Sequence, residues 1–213
     1  MKRKENTIPV RLMTVISIFV IAACIYFADY SMDPKKQDTD VEASQQYLEG
    51  WIMAMDARAY ISNDDLRYDE SYFAGGYPEE NKGVCTDVVW NAFDGVGITL
   101  KTLVDEDIEQ NFAAYSDVIS IADPNIDFRR VPVLEVFFER HAESLTTDYN
   151  VILAWMPGDI VIFESSHVAV VSGLRNIWGR PYIIQHGKDP AAEEDRIWAT
   201  DGMEISGHYR WRF

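Results

Sequence analysis

The sequence predicts an α+β domain in which helices lead and an antiparallel β-sheet follows, with one transmembrane helix ahead of it. Three observations predict this. Apolar residues recur at helical spacing through the first two thirds of the chain. The texture then changes to short β-rich runs, "MPGDIVIFESSHVAVVSG" and "GRPYIIQHG", punctuated by Gly, Pro and Ser. A basic N-terminus followed by an uncharged apolar run precedes both regions. Helices gathered before strands, rather than alternating with them, indicate α+β. A chain of 213 residues is long enough for one sizeable core.

Residues 1–11, "MKRKENTIPVR", form a basic segment that should stay cytoplasmic. "LMTVISIFVIAACIYFA", residues 12–28, follows without a charge, at the short end for a spanning helix. It reads as an uncleaved anchor, with the h-region of a signal peptide as the alternative. "IAAC" resembles a lipoprotein processing box that would lipidate Cys24, but the apolar "IYF" after it favours the anchor. The basic flank places the rest of the chain on the extracytoplasmic side, periplasmic or cell-wall. Residues 29–40 read as a polar linker and residues 41–213 as one domain.

Within that domain, "TDVEASQQYLEGWIMAMDARAYI" predicts a helix. Thr39 and Glu42 fit a capping box, and Leu48, Trp51, Ile52, Met55 and Ala59 mark its inward face. Residues 62–83 are rich in Asp, Asn, Gly and Tyr and predict a long loop, in which Tyr68, Tyr72 and Tyr77 either line a cleft or cover the core. Val84, Val88, Val89 and Phe93 predict a helix closed by "DGVG". Residues 101–116 predict another, with Leu103, Ile108 and Phe112 inward. "VPVLEVFFERHAESL" predicts a further helix with Pro132 near its first turn. "HVAVV" and "YIIQHG" should then pair as a hairpin.

The net charge is −16. Residues 1–11 carry Lys2, Arg3, Lys4 and Arg11 against Glu5, which leaves −19 for the remainder. Such a body repels nucleic acid, and nucleic-acid binding is excluded on that ground.

The chain has two cysteines, Cys24 and Cys85. With Cys24 in the membrane or lipidated, Cys85 has no partner in an oxidising compartment. A lone thiol there is either a nucleophile or a small buried hydrophobe. Cys85 opens a predicted helix, where backbone N–H groups and the helix dipole stabilise a thiolate and could hold an oxyanion. Of the four histidines, His167 opens the strand "HVAVVSG", where its ring could act as a base. His141 falls on a helix and should be exposed, and His208 in "GHYRW" should fix the C-terminal strand. A third residue would orient the imidazole. Gln185 is the first candidate and His186 the second; alternation sends them to opposite faces, so one of them can face the site. Asp87 suits the positive end of the helix dipole, and Asp159 suits the Pro157–Gly158 turn. Arg129 and Arg130 could clamp a substrate carboxylate, with a structural salt bridge as the alternative.

"PGDIVIF…HVAVVSG…YIIQHG" resembles the second half of the NlpC-type cell-wall peptidases. More narrowly, "GVCTDV", "NIDFRRVPVLEVFFER", "PGDIV", "HVAVVSG" and "GHYRW" resemble domain-of-unknown-function family 1287 across roughly residues 45–213. Phe128 departs from that pattern by standing where the family carries histidine. The resemblance implies a papain-like fold, with Cys85 as nucleophile, His167 as base and Gln185 or His186 as third residue. It implies hydrolysis of an amide bond in peptidoglycan stem peptides, or in another peptide, through a thioester acyl-enzyme. Tyr77, Asp87, Arg129 and Arg130 are the candidate substrate-binding residues. No cofactor is expected, and the remaining His and Cys residues form no metal-ligand pattern. The membrane is an expected partner through the N-terminal helix. An acyltransferase using the same triad, or a non-enzymatic wall-binding module, are the alternatives. Nothing in the sequence sets an oligomeric state.

Overall fold

Residues 34–198 and 202–213 are described by a computed structural model. The predicted membrane segment at 12–28, with Cys24, lies outside the described residues. Among the described residues no helix is long and apolar enough to cross a membrane. The chain divides into two units, 1–45 and 46–213, and the sheet and the candidate site belong to the second.

Helix α1 (Pro34–Ile61) begins inside the segment expected to be a linker. Proline suits a first helical position, because its φ is preset and no helical partner awaits its missing N–H. The inward face of α1 also differs from expectation. Leu48 and Met55 are exposed, whereas Gly50, Met53, Ala54 and Ala57 are buried. A close crossing explains this. A Cβ on Gly50 would lie 2.4 Å from the Pro157 carbonyl oxygen, and one on Gly158 would lie 2.3 Å from the Gly50 carbonyl oxygen. Small residues, not the largest apolar ones, let these backbones touch.

The loop that follows contains two short parallel strands, β1 (Arg67–Tyr68) and β2 (Lys82–Gly83), with Tyr68 opposite Gly83. Next comes helix α2 (Cys85–Gly95), which buries Val88, Val89, Ala92 and Phe93 as its periodicity predicts. Helix α3 (Leu100–Tyr115) buries Leu100, Val104, Ile108 and Tyr115, while Phe112, expected inward, is exposed. Tyr115 takes the inward place one turn later; its hydroxyl donates to Asp107, and Arg140 grips the same carboxylate at 2.8 and 3.0 Å. Helix α4 (Val131–His141) carries Pro132 in its first turn, as predicted, and His141 at its end pairs with Asp107 at the surface.

Six antiparallel strands form the sheet: β3 (Glu143–Ser144), β4 (Ile160–Phe163), β5 (His167–Arg175), β6 (Pro181–Gln185), β7 (Ala192–Glu194) and β8 (Ile205–Arg210). Their spatial order is β3-β8-β4-β5-β6-β7. The expected hairpin forms, with Val170 opposite Ile184 and Val171 opposite Ile183. Ile160, Ile162, Val168, Val170 and Ile184 pack into the helical layer. Val161, Phe163, Ala169, Val171 and Ile183 pack on the other face with Trp155 and Ile197. Burial of both faces is why these strands read as unbroken apolar runs rather than alternating ones.

The "PGD" turn is tied to the C-terminal strand. Gly158 takes φ +83°, and the buried Asp159 carboxylate accepts the Met156 N–H at 2.7 Å. It also receives Arg210 through two N–H groups at 2.7 Å and His208 Nε2 at 2.9 Å. Trp155 stacks on the His208 ring at 3.6 Å. Asp159 and His208 thus hold structural positions, as their sequence contexts predict.

Candidate functional site

The segment Gly83–Cys85 is set by packing at a single atom. A Cβ on Gly83 would fall 1.9 Å from the Tyr60 hydroxyl, so a larger residue cannot sit there without moving Tyr60. Directly after it, the N-terminal turn of α2 is fastened by Asp87. Its carboxylate accepts the Val84 N–H and the Trp90 Nε1–H, each at 2.7 Å. Arg129 adds two N–H donors to it at 2.8 Å. Both charged side chains are almost fully buried. The Thr86 hydroxyl donates to the Arg129 carbonyl and completes the anchorage. Helix α2 is therefore held at the end that carries the thiol.

Cys85 is the first residue of α2 and is buried. Burial pushes its thiol up to about 11. The Val168 N–H on β5 opposes that shift, Asp87 adds to it, and the N–H groups of Thr86 and of Cys85 itself oppose it. The resting sulfur is thus protonated at neutral pH, yet it sits where three N–H groups would meet a negative charge. Val168 immediately follows His167, so the sulfur touches the backbone at the start of the histidine's strand.

His167 Nε2 lies 2.7 Å from Gln185 Oε1. The amide oxygen is an acceptor, so Nε2 carries the proton and Nδ1 is the basic nitrogen. Gly187 lies against the ring; a Cβ there would stand 3.3 Å from His167 Cε1. The alternation that the sequence left unresolved is decided here. Gln185 reaches His167 on the sheet face away from the helical layer, and His186 turns toward the layer that holds Cys85. The His186 side chain is fully buried, with its ring edge-on to Tyr68 at 5.4 Å and Nε2 3.4 Å from Asp189 Oδ1. Burial lowers its pKa, against the opposing pull of Asp189.

A cavity of about 200 Å³ opens beside this pair, lined in part by Tyr68, His167, Gln185, Lys188, Glu194 and Arg196. The Tyr68 hydroxyl donates to Glu70 at 2.7 Å, and its backbone N–H donates to Asp189 at 2.7 Å. Burial raises the Tyr68 pKa, with the hydrogen bond to Glu70 and then Cys85 adding to the shift. The sequence reading named Tyr68 only as one of three loop tyrosines. It missed Lys188, Glu194 and Arg196, which follow β6 in chain order without any motif to mark them.

The four candidate substrate residues do not gather at this cavity. Asp87 and Arg129 satisfy each other. Arg130 pairs with Asp127 at 3.0 Å. Tyr77 packs on Trp90 and Phe128, with ring centres 5.1 and 5.3 Å away, and lines a separate depression with Asp94 and Ile98. Phe128 is fully buried and also meets Lys101, so its position serves packing in this chain. Among the described residues, no group of three His, Cys, Asp or Glu is placed to hold a metal ion.

The described residues thus define an α+β domain with a buried cysteine at a helix N-terminus and a His–Gln pair on the adjoining sheet. Residues 54–211 match the domain of unknown function DUF1287, and the chain belongs to that family. It is similar to the uncharacterized protein YijF of Escherichia coli (strain K12), at 36% identity over 156 residues, which cover 68% of this chain and 74% of that protein. No solved structure matches the chain.

Proposed function

We propose that the protein is an extracytoplasmic cysteine hydrolase of papain-like, NlpC-type architecture that cleaves an amide bond in peptidoglycan stem peptides. One observation carries the reading: the thiol that opens α2 meets the β5 backbone at Val168, next to His167, which Gln185 holds at 2.7 Å on the opposite face of the sheet. The basic segment 1–11 and the uncharged run 12–28 support a membrane anchor with the domain outside.

The chemistry follows from the tautomer. For Cys85 Sγ to attack the amide carbon, its proton must pass to His167 Nδ1, which requires the ring at the start of β5 to come round to the thiol's face, with the imidazolium Nε2–H on Gln185. The N–H groups at the start of α2 face the oxyanion. The imidazolium then protonates the departing amine, leaving a thioester. Water attacks the thioester with its proton taken by Nδ1, the C–S bond breaks, the sulfur takes that proton back to restore the thiol, and the new carboxylic acid leaves. A thiol pushed up by burial favours proton transfer during attack over a standing thiolate.

Incubation with defined muropeptides tests this. The expected result is fragments whose combined mass exceeds the substrate by one water, abolished in Cys85→Ala and in His167→Ala. Cleavage that survives Cys85→Ala overturns the assignment. Products carrying an added amine instead of water would make the protein an acyltransferase. The burial of the thiol favours a second reading, a wall-binding module in which Cys85 is a core residue. Retained peptidoglycan binding by Cys85→Ala, with no cleavage by either protein, selects it.

A further inference from the structure

At the far end of β5 from His167, the β5–β6 hairpin presents an apolar tip to solvent. Ile177 is 89% exposed, Trp178 68% and Leu174 49%. The tip is built, not loose. Asn176 and Arg180 close it, the Asn176 N–H donating to the Arg180 carbonyl at 2.9 Å. The Asn176 side-chain oxygen accepts the N–H of Trp178 at 2.9 Å and of Arg180 at 3.0 Å, while its amide donates to Asp195. A second apolar segment lies beside it. Leu153 is 88% exposed and Val151 49%, and a Cβ on Gly179 would stand 3.0 Å from Ile152 Cδ1. Arg180 bridges the two segments, donating to Asn150 at 2.6 Å and covering the Tyr149 ring at 4.9 Å. A fold does not spend a rigid hairpin on exposing Ile and Trp unless they meet something.

The charges say what. In a chain of net −16, residues 174–180 carry Arg175 and Arg180 and no carboxylate, and residues 149–156 carry no Asp, Glu, Lys or Arg. Asp148 accepts from Asn150 and Asp195 from Asn176, while the Arg175 guanidinium donates to the Trp155 carbonyl. A tryptophan and an isoleucine flanked by arginines match the acyl–headgroup boundary of a bilayer. The chain before α1 adds a second argument. Its uncharged apolar run ends at residue 28, and α1 begins at Pro34, so a short stretch of chain joins that run to the first described helix. We propose that the β5–β6 hairpin tip and residues 151–153 form a docking surface for the interface of a lipid bilayer. This rests on the membrane anchoring included in the functional reading. Strand β5 spans roughly 25 Å between its ends. A docked tip therefore holds the His167 cavity away from the lipid, facing whatever lies beyond the membrane.

The test uses the full chain in vesicles of phosphatidylethanolamine and phosphatidylglycerol, with and without bromine on the acyl chains near the headgroup. Bromine quenches tryptophan on contact, and residues 12–28 contain no tryptophan to confuse the signal. Wild type should be quenched, and Trp178→Phe, with an unchanged circular dichroism spectrum, should lose most of that quenching. Equal quenching in both proteins, or none in wild type, overturns the proposal. So does a Trp178-dependent cross-linked dimer without quenching, which assigns the surface to a second copy. Alkaline carbonate extraction reports on the anchor separately. Chain retained after extraction but unquenched at Trp178 keeps the anchor and sinks the docking surface. Chain released by carbonate yet quenched through Trp178 beforehand does the reverse.

Discussion

Replacing Arg129 with leucine should strike the candidate site through its foundation. In the native protein the Asp87 carboxylate is fully buried and receives two N–H groups from Arg129 at 2.8 Å, besides the Val84 and Trp90 donors. Arg129→Leu keeps the side-chain volume apolar and leaves a buried carboxylate with two neutral donors. Removing one partner of a buried, hydrogen-bonded ion pair costs about 3–5 kcal/mol. For a domain of this size each kcal/mol lowers Tm by about 2–4 °C, so the expected drop is roughly 6–20 °C. Differential scanning calorimetry of the full chain in detergent measures it. Asp87→Asn strands the Arg129 cation and should cost a similar amount, whereas the double variant should be destabilised by less than the sum of the two. Additive losses, or a drop under about 3 °C for Arg129→Leu, would show that the pair does not hold the start of α2. The Cys85 environment should change in parallel, seen as a faster reaction with iodoacetamide once the helix end loosens.

The thiol itself gives a pH prediction. Its pKa of about 11 in the fold lies above the ordinary value, so between about pH 9 and 11 the unfolded chain has released a proton that the native chain still holds, and stability falls as pH rises through that window. Cys85→Ser should flatten this alkaline loss, as read from melts at stepped pH; parallel curves would mean the thiol is not shielded. Gly83→Ala should destabilise by about 1–3 kcal/mol through the clash with the Tyr60 hydroxyl, and Tyr60→Phe in the same chain should recover much of it. That hydroxyl finds no hydrogen-bond partner among the described residues, so Tyr60→Phe alone should be neutral or stabilising, and a clear loss would contradict the placement. Asp159→Ala should lower Tm by an amount comparable to Arg129→Leu, because it strands Arg210 and His208 together; a smaller effect than that of Glu79→Ala, which removes a far more exposed pair with Lys82, would refute the network.

Local signals were enough for much of the fold. The period of Val84, Val88, Val89 and Phe93 marked α2, Pro132 marked the start of α4, and the Gly- and Pro-bounded apolar runs marked β4, β5 and β6. These features act within a few residues, so they are legible in one dimension. The inward face of α1 was not. Apolar size pointed to Leu48 and Met55, but the crossing at Gly50 and Gly158 admits only small side chains, and that crossing joins residues far apart in sequence. Phe112 lost its expected place for a similar reason, since Tyr115 could bury its ring and still reach Asp107.

The candidate site divides along the same line. Sequence alone determined that a cysteine opens a helix, that a histidine opens a strand, and that Gln185 and His186 must face opposite ways, because helix ends and strand pleats are local geometry. Which of the two meets His167 was decided by the register of β5 on β6, a long-range pairing. Tertiary structure alone turned Asp87 and Arg129 from candidate ligand groups into a buried pair, and brought Tyr68, Lys188 and Arg196 to one cavity. It also raised the thiol's pKa, because desolvation depends on what surrounds a group in space and not on its neighbours along the chain.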